Sequence, residues 1–252
     1  MSSEVVITGV PQGTPEAGPD PVRALVAHAD DNLVLAQRLG EWISRAPELE
    51  EDIALGNIAL DHLGVARALY THAGQLEGMG RSEDDFAMRR PERDFLNVLL
   101  VEQPNGDFAH TMVRGLLFDA YQVELWGDLS GSEDATMAGI AGRALKEARY
   151  HLLHSSAWVI RLGDGTDESH SRAQAAVDAL WRYTAELFAQ ATSGYHDIWE
   201  KVVGETLDQA RLQIPGDPYQ RSGGRRGFHS EHLGPLLAEM QWMQRSHPGL
   251  EW

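Results

Sequence analysis

Four acidic residues stand inside otherwise apolar stretches of this sequence. They are Asp31 near Leu33 and Val34, Asp61 between Leu60 and Leu63, Asp119 after Leu117 and Phe118, and Glu147 between Leu145 and Ala148. A carboxylate in such surroundings needs a partner, because an unpaired charge out of water is heavily penalised. Set at one height on four helices, four acids make a layer of the kind that binds two metal ions. Two helices then supply a carboxylate each, and the other two supply Glu-x-x-His, whose imidazole lies on the same helix face. The corresponding tetrads here read Asp61-His62-Leu63-Gly64 and Glu147-Ala148-Arg149-Tyr150. Gly64 and Tyr150 stand where imidazoles are required, and Asp31, Asp61 and Asp119 are each one methylene shorter than Glu. On this reading the layer is vestigial and holds no metal.

Two histidines are candidate substitutes. His28 is level with Gly64 and one turn from Asp31, so His28, Asp31 and Asp61 make a candidate residual site. His151 follows Glu147 by four residues on roughly the same face. His62, adjacent to Asp61, points about 100° away from it. His154 lies about 10 Å further along the axis than Glu147. A buried layer without metal calls for basic partners, of which Arg143 is one turn from Glu147, and for the Tyr150 hydroxyl. A second cluster, Arg221, Arg225 and Arg226, sits in a glycine-rich loop (221–227). It fits either a phosphate group or a solvated, partner-facing loop.

These residues need long helices to position them. Apolar residues recur at three- and four-residue spacing after Pro21, which predicts helices over 20–45, 47–76, 107–130 and 132–163, with Ser132 as a cap. Shorter helices are expected over 92–101, 169–190, 196–212 and 230–245, the last apolar on more than one side and so suited to a partner. The stretch 214–228 is the least helical. Helices of about 25–30 residues joined by short turns make antiparallel hairpins, and two hairpins joined by a crossover make a four-helix bundle. With turns centred near residues 46 and 133, Asp31 falls level with Asp61 and Asp119 with Glu147. The expected fold is all-α: a ferritin-like four-helix bundle with additional C-terminal helices, as a single domain over 21–252 after a disordered leader over 1–20.

Composition limits the alternatives. Cysteine is absent from the 252 residues, which removes disulfides, iron–sulfur clusters and cysteine-bound zinc, and suits a reducing cytoplasmic setting. No apolar run could span a membrane. A net charge of −17 opposes nucleic acid and anionic lipid.

Five segments carry a resemblance over nearly the whole chain: LAQRLGEWISRAPELEEDIALGNIALDHLG (35–64), FLNVLLVEQPNGDFAHTMVR (95–114), KEARYHLLHSSAWVIRLGDGTDES (146–169), LWRYTAELF (180–188) and GFHSEHLGPLLAEMQWMQR (227–245). The chain resembles the structural-subunit family of the bacterial phenylacetyl-CoA 1,2-epoxidases, multicomponent oxygenases of aerobic phenylacetate breakdown. The resemblance implies a ferritin-like fold and a cytoplasmic hetero-oligomer. It also implies pairing with a homologous catalytic subunit that holds the di-iron centre, and further subunits, among them a reductase with flavin and iron–sulfur that draws on NADPH. This chain would then bind no cofactor itself and carry no catalytic residue, with phenylacetyl-CoA a candidate ligand at the subunit interface and its coenzyme A phosphates candidate contacts of Arg221, Arg225 and Arg226. The residues alone leave a second reading open, a free-standing ferritin-like metalloprotein with a remodelled site.

Overall fold

A computed structural model describes residues 20–189, 194–216 and 219–250, so the leader expected over 1–20 lies outside them except for Asp20. The described residues form nine α-helices and no strand. Helix α1 (Pro21–Gly40) opens on Asp20, whose Oδ1 accepts from the N–H groups of Val22 and Arg23 at 3.1 and 3.3 Å, with Pro21 placed where a helix tolerates it. Helix α2 (Leu49–Glu77) has acids in its first turn and stops at Gly78, whose φ of 68° suits glycine. Helices α5 (Phe108–Leu129) and α6 (Ala135–Gly163) are capped by Asp107 and Asp134. Ser132, the expected cap of α6, instead accepts from the Asp134 N–H.

The pairs α1–α2 and α5–α6 are the two expected hairpins, and α2 packs on α6 to close the bundle. Leu33, Leu69, Leu116, Phe118 and Trp126 are among the side chains wholly enclosed between them. Helix α7 (Asp167–Leu180) and helix α8 (Tyr195–Gln209) pack on α5 and α6, outside the bundle. The C-terminal helix α9 (Leu233–Ser246) lies on α3 (Glu83–Met88) and buries Leu233, Leu236, Leu237 and Gln241. Trp242 and Met243 stay exposed.

The crossover departs most from expectation. A helix over 92–101 is replaced by a 3-10 turn (Glu92–Asp94), an extended run and the single turn α4 (Leu99–Glu102). Side chains from elsewhere take the backbone donors that a helix would need. Leu96 N–H donates to Asp30 Oδ2 (2.7 Å), Val98 N–H to Asp31 Oδ1 (2.8 Å) and Leu99 N–H to Glu186 Oε2 (2.8 Å). Charge-assisted bonds to buried carboxylates outweigh the weak propensity of so short a helix.

Candidate functional site

The inward stripe of α2 runs through Leu55, Ile58, Ala59, His62, Val65, Ala66 and Leu69, and that of α6 through Ala141, Ala144, Ala148, His151, Ser155 and Val159. Asp61 and Glu147, each one position off its stripe, lie at the edges of these faces. The hairpin arithmetic also misjudged α5 and α6: Asp119 Oδ2 accepts from Ser155 Oγ at 2.8 Å, two turns beyond Glu147. Helical side chains lean toward their own N-termini, so antiparallel partners meet off the level their Cα numbers give.

The six expected ligand positions are therefore not brought together. Gly64 faces solvent, and Tyr150 is 58% exposed, so its hydroxyl does not join a buried layer. Asp61 reaches His151 Nε2 at 3.1 Å. Glu147 Oε1 accepts from Arg143 Nε at 2.9 Å, the basic partner foreseen for it. His28 lies edge-on to Trp126. Asp31 is fully buried, but both its oxygens accept from Arg225, at 3.0 and 2.6 Å. Burial nevertheless pushes the Asp31 carboxyl up to about 6, against the pull of Arg225.

Of the loop arginines, Arg225 is buried and so is no surface phosphate ligand, correcting that expectation. Its loop does hold anions, but the chain's own: Gly223 N–H donates to Glu186 Oε1 at 2.7 Å while the Arg225 guanidinium holds Asp31. Gly224 is needed because a Cβ there would collide with the Asn97 carbonyl. Arg221 and Arg226 remain exposed, with Arg226 beside the Phe228 ring.

What does converge in the bundle is a different set. Asn32, Ala59, His62, Asp119, Ala148 and His151 are all buried and come from the four long helices. Ala59-x-x-His62 and Ala148-x-x-His151 have the three-residue spacing of the di-iron motif, with alanine in place of each glutamate. Of the six positions read from sequence, Asp119 alone belongs to this group. His62 Nδ1 meets Asn32 Oδ1 at 2.8 Å, and the His62 and His151 rings lie 4.9 Å apart. Burial drives His62 well below its usual range and lowers His151, while it pushes Asp119 up to about 7. The signal for this face was available in sequence: Leu55, Ile58, Val65 and Leu69 set a stripe in which His62 is the polar member.

The donor set does not fit a two-iron centre. Such a centre is bridged and neutralised by carboxylates from four helices, and Ala59 and Ala148 offer none. With Asn32 neutral, Asp119 is the one carboxylate among these six residues.

The family model described as phenylacetic acid catabolic protein matches residues 7–252. The chain belongs to this family. It is also 48% identical over 237 residues, 88% of this chain and 95% of the relative, to a 1,2-phenylacetyl-CoA epoxidase subunit from Escherichia coli strain K12. The chain's own ferritin-like bundle of α1, α2, α5 and α6 positions the histidine pair. Among the described residues no helix is long and apolar enough to cross a membrane.

His28 carries a pH prediction. Burial holds its imidazole down at about 3, against 6.5 in an unfolded chain. The unfolded state therefore takes up the proton first, and the stability His28 contributes above pH 6.5 is lost as pH falls toward 3. Replacing His28 by Gln is expected to flatten the fall of urea-unfolding stability between pH 6 and 4 by up to about 1.4 kcal/mol per pH unit. An unchanged slope would exclude His28 as an acid-sensitive group.

Proposed function

We propose that this chain is a non-catalytic structural subunit of an oxygenase that epoxidises phenylacetyl-CoA, paired with a homologous catalytic subunit that holds the di-iron centre. The observation that carries this reading is the pair Ala59 and Ala148 at the carboxylate positions of two otherwise intact histidine motifs. A centre that activates oxygen needs those carboxylates, and their loss removes the chemistry while leaving the scaffold. The relative's designation as a subunit supports the assembly. A cytoplasmic location and electron supply by a separate NADPH-dependent flavin and iron–sulfur reductase are part of the same proposal.

The outward sides of α2 and α6 support a partner. Leu49, Ile53 and Leu60 on α2, with Tyr150 and Leu153 on α6, are each more than half exposed on these neighbouring helices. Large apolar side chains exposed on two adjoining helices of a strongly acidic protein fit burial against another subunit. Coenzyme A remains a candidate ligand of the exposed Arg221 and Arg226.

The test is iron analysis of the chain purified alone and after co-expression with its catalytic relative. Two irons per catalytic chain in the complex, none paired in this chain, and epoxidation requiring both proteins is the expected result. A two-iron centre in this chain alone, or turnover by it, would favour the free-standing metalloprotein.

A further inference from the structure

The pocket that does not fit two irons is nonetheless built like a metal site. A ring nitrogen from each of His62 and His151 and an oxygen of Asp119 lie within 4.8 Å of one another, and all three residues are buried. Each is fixed from outside by its own hydrogen bond. Asn32 donates through Nδ2 to the His28 carbonyl (2.8 Å), so its Oδ1 faces His62 and accepts the Nδ1 proton. His62 Nε2 then presents a lone pair, and this atom is buried with no hydrogen-bond partner. Asp61 orients His151 through Nε2, and Ser155 donates to Asp119 Oδ2. Outer partners of this kind, including a carboxylate behind an imidazole, orient the ligands of metal sites.

We propose that His62, Asp119 and His151 bind one divalent transition-metal ion, in a mononuclear site rather than a two-iron centre. Bonds of about 2.0–2.2 Å at tetrahedral angles place ligand atoms ~3.3–3.6 Å apart, so side-chain rotations that move each donor atom by up to about an ångström close the site. Two neutral imidazoles and one carboxylate suit zinc, cobalt or ferrous iron. Ala59 and Ala148 leave a second ion without ligands, which fixes the stoichiometry at one. A cavity of about 20 Å³ bordered by His62, Gly115, Asp119 and Ser155 has room for one water as a further ligand. Gly115 keeps that space open, since a Cβ there would stand 3.2 Å from Ser155 Cβ. The site departs from the sequence reading, which placed no metal in this chain. The ion holds α2, α5 and α6 together and performs no reaction.

The experiment uses the full chain, stripped with chelator and titrated with Co²⁺ by visible absorption and calorimetry. One saturable equivalent per chain is expected, displaced by Zn²⁺, with the melting temperature raised by about 5–10 °C at a hundredfold excess over Kd. His62→Gln and Asp119→Asn, on different helices, should each weaken binding at least tenfold while keeping helical circular dichroism. Asp61→Asn, acting behind His151, should weaken it by about 10–100-fold. No saturable Co²⁺, two equivalents, or unchanged binding in the folded His62 and Asp119 variants would overturn the proposal. Subunit pairing is tested separately by co-purification, so failure here leaves the proposed function standing.

Discussion

Arg225→Met is expected to lower the unfolding free energy by about 3–5 kcal/mol, because it strands a buried carboxylate. The guanidinium donates from Nη1 to the carbonyls of Ala27 and Leu96 at 2.9 and 2.8 Å, and from both terminal nitrogens to Asp31. It thereby fastens the loop around 223–227 to α1 and to the extended run before α4. Removing it leaves three acceptors with fewer donors and Asp31 with no cation. The remaining Val98 N–H bond does not neutralise that charge. Asp31 then folds with a still higher pKa, so the variant's deficit must grow as pH rises. Urea unfolding at pH 5 and pH 8 checks both parts: the loss should be smaller at pH 5. A second variant, Asp31→Leu combined with Arg225→Met, should recover much of the loss, since an apolar pair of similar volume often replaces a buried ion pair without penalty. A loss below about 1 kcal/mol, or a double variant no better than the single, would show that the pair matters less than its burial implies.

The same ion pair shows where sequence reading stops. Glycines and arginines in one loop are a local pattern, and the local reading is an external phosphate. Their true partner, Asp31, is 194 residues away, and no spacing rule links them. Likewise the helix expected over 92–101 fails for a non-local reason, because Asp30, Asp31 and Glu186 claim its donors from other elements. The long hairpins were legible because period and turn chemistry are local. Their ends shifted by a few residues where Asp134 rather than Ser132 capped α6.

The site was half legible. The right helices and the right spacing were in view, but the acids drew attention to Asp61 and Glu147, one position off the buried stripes. Alanine carries little hydrophobic signal, so Ala141, Ala144 and Ala148 did not mark the inner face of α6 as leucines mark that of α2. A stripe of small residues marks close helix packing as surely as large ones do, and following it leads to His151. The reading that the two-iron ligand set is incomplete rests on different residues in the two registers. On the first register histidines were lost from carboxylate motifs; in the folded chain carboxylates are lost from histidine motifs. The proposed single-ion site rests on that difference.

Placing a charge on the outward apolar face is expected to abolish subunit pairing while sparing the fold. Leu60 and Leu153 are 64% and 68% exposed, so aspartate at either position meets water in the free chain and disturbs little packing. Surface changes of this kind usually shift stability by no more than ~0.5 kcal/mol. In a complex that buries both leucines, each new carboxylate must lose its hydration without a partner, a penalty of several kcal/mol. Leu60→Asp with Leu153→Asp should therefore weaken association at least ~100-fold, equivalent to about 2.7 kcal/mol, and mainly through faster dissociation. Co-expression with the catalytic relative followed by pull-down and sedimentation reads the result, with the melting temperature of the free variant as the control for folding. The pair Trp242 and Met243 on α9 serves as a second probe, since these apolar side chains are exposed on a different helix. If Trp242→Asp breaks the complex and the double leucine variant does not, the partner docks on α9 instead. If neither does, the exposed leucines are solvent-facing and the pairing surface must be sought among polar residues.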